Sequence, residues 1–264
     1  MVSVLTACLV VGLTGLIIGV LLGVAGNVFS VEVNEKEEKI REELPGNNCG
    51  GCGYAGCDAL AKAIANGEAA YNACPVGGNP VAAKIADILG VESEESNKMV
   101  AFVKCNGDCN HANQRFEYYG TQDCNQASLS TGGGPKECEY GCMGLGSCVK
   151  ACEFDAIHIV NGIAVVDREK CVACKKCIAA CPKKLIELVP YNNKYFIACN
   201  SKDLAKSVIK ACKVGCISCR QCERNCPVNA IEITDNLAKI DYEKCVSCGK
   251  CQSVCKRDII LSTK

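Results

Sequence analysis

Two stretches near the C-terminus decide the reading: CISCRQCERNCP, Cys216 to Pro227, and CVSCGKCQSVCK, Cys245 to Lys256. Each is a C-x2-C-x2-C-x3-C run, the ligand spacing of four-iron, four-sulfur clusters. Three thiolates in so tight a loop reach three corners of a cube, and the fourth corner lies beyond the loop. The fourth cysteine of each run therefore serves the other cluster. One expected ligand set is Cys216, Cys219, Cys222 and Cys255; the other is Cys226, Cys245, Cys248 and Cys251. A zinc protein of this size would use more imidazole than His111 and His158 supply.

The doubled run is one copy of an internal repeat. A shift of 74 residues lays Cys138, Cys142, Cys148 and Cys152 on Cys212, Cys216, Cys222 and Cys226. The same shift lays Cys171, Cys174, Cys177 and Cys181 on Cys245, Cys248, Cys251 and Cys255, and DAIHI at 155–159 on NAIEI at 229–233. Both copies are expected to be units like a bacterial ferredoxin, whose signature the runs carry. In the first copy, Cys171, Cys174 and Cys177 with Cys152 make a regular third site. Its partner has Cys142, Cys148 and the crossing Cys181, but Leu145 falls where the second copy has Cys219. Either Cys138, four residues before Cys142, supplies the missing ligand, or the site holds a three-iron cluster. The set Cys138, Cys142, Cys148 and Cys181 is the preferred expectation.

A fifth site comes earlier, in CGGCGYAGCDALAKAIANGEAAYNACP. Cys49, Cys52 and Cys57 lie on a glycine-rich loop, and an alanine-rich helix carries Cys74 back towards it. The chain has 26 cysteines in 264 residues, spaced like metal ligands rather than like the scattered cysteines of a disulfide scaffold. Aromatic residues are 5% of it, so the ordinary core is thin and clusters would staple the fold.

Residues 1–31 lack charged side chains, and VLTACLVVGLTGLIIGVLLGVAG is long enough to span a bilayer. No Lys or Arg precedes it and it is too long for the apolar region of a signal peptide. Gly15, Gly19 and Gly23 form a small-residue stripe suited to packing on another membrane helix. Lys36, Lys39 and Arg41 follow, which favours the cytoplasm for everything downstream. The expected fold is α+β: a transmembrane helix (1–27), a linker (28–44), a small helical [4Fe-4S] domain (45–95), a connecting segment (96–137), and two ferredoxin-like units (138–190 and 191–264).

Charge is uneven although it sums to zero. From Glu32 to Lys98 there are 12 acidic and 6 basic side chains; from Lys170 to Arg224 there are 12 basic and 3 acidic. The basic stretch suits an acidic protein partner. It lacks the interleaved aromatics that nucleic-acid binding would use. Cys105, Cys109, Cys124, Cys199 and Cys212 have no place in the five sites. They are either free thiols or, drawing on Cys105, Cys124, Cys199 and Cys212, a sixth cluster.

Taken together these pieces resemble the B subunit of the Rnf complex in its longer clostridial form, over nearly the whole chain. The first module is also similar to the cluster domain of corrinoid iron–sulfur proteins. The resemblance implies a membrane-anchored subunit that takes electrons from reduced ferredoxin. At least five [4Fe-4S] clusters would relay them to membrane subunits, in a ferredoxin:NAD+ oxidoreductase that exports Na+ or H+. It places flavin and NAD on other subunits, and no G-x-G-x-x-G follows an expected strand here. The chain departs from the short members in carrying two ferredoxin units. It also has Glu153 and Lys256 where proline follows the other two runs. A stand-alone membrane-tethered polyferredoxin and a structural multi-zinc module are the competing classes.

Overall fold

The computed structural model describes residues 2–28, 34–94 and 97–263, with side chains of the first helix described at 6 and 9–25. That helix, α1 (Val2–Val28), leaves Leu9, Leu13, Leu16, Leu21 and Leu22 uncovered. A Cβ at Gly15, Gly19 or Gly23 would meet nothing within 4 Å. Among the described residues, no helix is long and apolar enough to cross a membrane.

The next layer is helical. Helix α2 (Glu35–Glu43) starts at Asn34, whose side chain accepts from the Lys36 N–H at 3.1 Å, and carries Glu35, Glu37 and Glu38 in its first turn. Both features suit a helix N-terminus. Its Ile40 is fully buried and Leu44 nearly so, against Leu60 and Ile64 of α3 (Cys57–Ala65) and Ile85 of α4 (Gly78–Leu89). The segment expected as a linker is thus built into the helical domain. Its single apolar helix residue, in a run of charges, fills that domain's core.

The remainder is two copies of one motif, each with a hairpin, two short helices and an outer two-stranded sheet. In the first, β1 (Met99–Val103) precedes α5 (Cys124–Ser128), α6 (Ser147–Lys150), the hairpin β2 (Ile157–Val160) and β3 (Ile163–Val166), α7 (Lys176–Ala180) and β4 (Ile186–Pro190). In the second, β5 (Tyr195–Ile197) and α8 (Ala205–Ala211) precede α9 (Gln221–Arg224), β6 (Ile231–Thr234), β7 (Leu237–Ile240), α10 (Lys250–Ser253) and β8 (Ile260–Ser262). Each hairpin turns on two residues with positive φ, Asn161–Gly162 and Asp235–Asn236, as a two-residue turn between twisted strands requires.

The outer sheets align the copies further than the cysteine runs do. Strand β1 pairs antiparallel with β4, placing Val103 opposite Ile186; β5 pairs with β8, placing Ile197 opposite Ile260. Part of the expected connecting segment is therefore a strand of the first unit. Phe102 and Phe196 sit at matching positions and stack with centroids 5.1 Å apart, and Tyr242 lies 5.8 Å beyond Phe196. This aromatic ladder joins the two units. Just past it, the Asn106 N–H donates to the Ala198 carbonyl at 3.0 Å.

Candidate iron–sulfur centres

Each cluster run of the two units bends at two left-handed residues: Gly144 and Gly146, Ala173 and Lys175, Ser218 and Arg220, Ser247 and Gly249. For a residue other than glycine this conformation costs about 1–2 kcal/mol. It curls the loop so that successive amides face its concave side, where an anionic group would sit. The loop holding Leu145 has the same geometry as the three intact ones.

Inside these loops lie apolar cavities. One of ≈ 20 Å³ is lined by Cys152, Cys171, Cys174 and Cys177 together with Ala101 and Ile157. One of ≈ 20 Å³ is lined by Cys226, Cys245, Cys248 and Cys251 with Ala230 and Ile240. Cys222 has Cys216, Cys219 and Cys255 as its charged neighbours, and burial first, then those thiolates, pushes its thiol up to about 12. In the helical domain, burial raises Cys74, and Cys57 and Cys52 act in the same direction. Cys49 acts on Cys174 and Lys176 of the first unit.

Backbone amides face several of the sulfurs. The Ala101 N–H donates to Cys171 Sγ at 3.3 Å, Ala156 to Cys152 at 3.4 Å and Ala230 to Cys226 at 3.2 Å. Gly77 does the same for Cys74 at 3.4 Å. Such bonds favour thiolate over thiol and tune the potential of a cluster held there. Four sulfurs around an apolar cavity, with amides on the sulfurs, are the donor set a [4Fe-4S] cluster takes. Among the described residues no three His, Cys, Asp or Glu side chains are grouped to hold a single metal ion.

The irregular site is put together differently from the expectation. The cavity of ≈ 20 Å³ lined by Cys142, Cys148 and Cys181 has Cys124 as its fourth cysteine. Cys124 acts on Cys148, whose thiol burial pushes up to about 12. Cys138 instead lines a separate cavity with Cys105, Cys199 and Cys212. Cys124 arrives on the first turn of α5, capped by Asp123, whose Oδ1 accepts from Asn125 and Gln126. The buried Ser147 hydroxyl accepts the Cys124 N–H at 2.7 Å and donates to Asp123 Oδ2 at 3.0 Å. Ser147 thereby pins Cys124 beside its own neighbour in the chain, Cys148.

The helical domain touches the first unit at one of these loops. A Cβ on Gly51 would lie 3.0 Å from both Cα and O of Cys174, so only glycine fits there unless the loop moves. Cys174 is half-buried, whereas Cys219 and Cys248 of the second unit are exposed.

Family models match three segments: a putative Fe-S cluster model over residues 44–76, a 4Fe-4S binding domain over 164–187 and a 4Fe-4S dicluster domain over 215–259. The B subunit of the Na(+)-translocating ferredoxin:NAD(+) oxidoreductase complex of Acetobacterium woodii is 46% identical over 95% of this chain and 75% of its own. The B subunit of the ion-translocating oxidoreductase complex of Methanosarcina acetivorans is 43% identical over 93% of each chain. The chain belongs to the B-subunit family of Rnf-type ion-translocating oxidoreductase complexes. Another member, the B subunit of the proton-translocating ferredoxin:NAD(+) oxidoreductase complex of Clostridium ljungdahlii, is 40% identical over 96% of this chain and 90% of its own. None of the matched segments contains Cys105, Cys124, Cys138, Cys199 or Cys212.

A sequence signal for part of this placement exists. FVKC at 102–105 and FIAC at 196–199 put a cysteine two residues past matching strands. They align Cys105 with Cys199, where spacing from Cys138 and Cys212 suggests Cys124. Cys124 belongs to a stretch, between Cys105 and Cys138, that is twenty residues longer than its counterpart and has no equivalent in the second unit.

Proposed function

We infer that this chain is the iron–sulfur electron-transfer subunit of an Rnf complex, relaying electrons from reduced ferredoxin towards the complex's membrane subunits. Bound [4Fe-4S] clusters supply one-electron oxidation and reduction. The chain's own residues hold and space them: Cys49, Cys52, Cys57 and Cys74 in the helical domain; Cys124, Cys142, Cys148 and Cys181, and Cys152, Cys171, Cys174 and Cys177, in the first unit. In the second unit the sets are Cys216, Cys219, Cys222 and Cys255, and Cys226, Cys245, Cys248 and Cys251.

The observation that carries the direction of flow is the contrast between loops. The Cys174 loop is covered by Gly51 of the helical domain, while Cys219 and Cys248 are open to solvent. Arg220, Arg224, Lys244 and Lys250 are exposed around those open loops and suit an acidic donor. A cleft of ≈ 680 Å³ between the units adds Lys104, Lys183, Lys184, Lys202 and Lys239, against a single acidic residue, Glu187. The covered loop is the exit, since the helical domain follows directly on α1. We assign α1 as a single-pass anchor whose glycine stripe packs on a membrane subunit, with the cluster domains in the cytoplasm.

Stopped-flow reduction of the purified complex by reduced ferredoxin tests this. The rate is expected to fall steeply with ionic strength and to fall further in Arg220→Glu/Arg224→Glu. A rate indifferent to salt and to both substitutions overturns the docking assignment.

A further inference from the structure

We propose a sixth cluster site, at the seam between the two units, in which Cys105 and Cys138 of the first and Cys199 and Cys212 of the second hold a [4Fe-4S] cluster. The four sulfurs line one apolar cavity of ≈ 20 Å³, the same size as the cavities at the runs above. Cys105 and Cys199 are matched by strand register, and Cys138 and Cys212 by the repeat. Each unit therefore contributes the same pair, as the two halves of an isologous contact do.

Details at the sulfurs match those of the runs. The Cys142 N–H donates to Cys105 Sγ at 3.3 Å, and the equivalent Cys216 N–H donates to Cys199 Sγ at 3.3 Å. A Cβ on Gly107 would stand 3.2 Å from Cys212 Sγ and 3.7 Å from Cys105 Sγ, so the glycine lets the backbone approach both. Two cations stand beside the thiolates. Lys136, 4% exposed, lines the cavity and donates from Nζ to the Gly107 carbonyl at 2.6 Å and the Gly162 carbonyl at 3.2 Å. Arg257 donates to the Cys212 carbonyl at 2.6 Å and the Gly215 carbonyl at 3.3 Å. Both cations bond to carbonyls here rather than to a carboxylate, and the buried charge of Lys136 calls for a counterpart. An anionic cluster in the cavity supplies it.

The position has a consequence for the relay. Cys142 and Cys216 are ligand candidates of the neighbouring sites, and each also places its amide on a sulfur of the seam. The seam site thus bridges the two units, passing on one electron for each one it receives, with no proton and no bond made or broken. Cys199 and Tyr140 line both the seam cavity and the lysine-rich cleft, which makes the seam a near neighbour of a donor docked there.

This rests on reading the chain as an iron–sulfur protein. Iron and acid-labile sulfide are counted on the full chain purified without oxygen. The wild type is expected to hold about 24 irons, six sets of four. Cys105→Ser is expected to lose about four, and adding Cys138→Ser loses no more, because both belong to one site. Cys124→Ser with Cys138→Ser is expected to lose about eight. Unchanged iron in Cys105→Ser overturns the proposal and leaves the other five sites standing. A loss of about eight in the Cys105→Ser/Cys138→Ser pair overturns it by returning Cys138 to the Cys142 site. If the variants do not fold, the wild-type count decides: about 20 irons overturns the sixth site alone, and none overturns the iron–sulfur reading with it.

Discussion

The two ferredoxin-like units share a hairpin, two helices and an outer sheet in the same register, yet they complete their cluster loops in different ways. In the assignment proposed above, the second unit takes three ligands of each cluster from one run. The first keeps the same loop backbone around Leu145 and brings Cys124 in from a longer upstream stretch, pinned by Ser147. A ligand position is thus a point in space that more than one segment can reach. What the fold preserves is the cavity and its amides, and the chain that delivers the sulfur is free to change.

The sharpest way to break this comparison is to make the first unit imitate the second. Cys124→Ser is expected to cost about four irons, and Leu145→Cys added to it is expected to restore them, because the loop already has the intact geometry. Iron and sulfide counts read both; failure of the second change to rescue the first would mean that the loop at 145 does not face its cavity. Next in size is Gly51→Val. The Cys174 loop of the first unit is covered at this point and its equivalent, the Cys248 loop, is not. Overpacking is expected to cost about 1–3 kcal/mol and to slow electron passage into the helical domain. Single-turnover reoxidation is the measurement, and an unchanged rate in Gly51→Val would take this contact out of the path. The smallest effect concerns a likeness. Burial holds Cys148 and its equivalent Cys222 at about 12, against 9.0 for an open thiol. Burial favours the protonated thiol, so its stabilising effect in the iron-free chain is complete below pH 9.0 and is lost between there and about 12. Denaturant midpoints of the iron-free chain should be flat up to that point and then fall together in both units.

How much of this was legible beforehand follows from what spacing encodes. Runs such as Cys171 to Cys181 fix their own loops, and the crossing of Cys152 or Cys226 follows from the reach of a short loop, so those groupings could be read directly. Cys124 and Cys138 could not be. Each is brought to its cavity by tertiary contacts, Cys124 through Ser147 and Cys138 through the seam; sequence proximity to Cys142 pointed to Cys138, whereas Cys124 lines that cavity. Ile40 was hidden for a similar reason: one apolar side chain among charges gives no periodicity, although α3 and α4 bury it completely. The strand β1 was missed because its partner, β4, lies more than eighty residues on.

The amides of Cys142 and Cys216 each rest on the sulfur of an adjoining group. Sites joined so closely do not fill independently. An electron resting on one raises the electrostatic cost of placing a second beside it, just as neighbouring acids spread each other's titrations. A potentiometric curve for the whole chain would be drawn out along the voltage axis rather than stacked at one value. A protein built this way is poor at hoarding charge and good at handing it on, which favours a conduit over a reservoir.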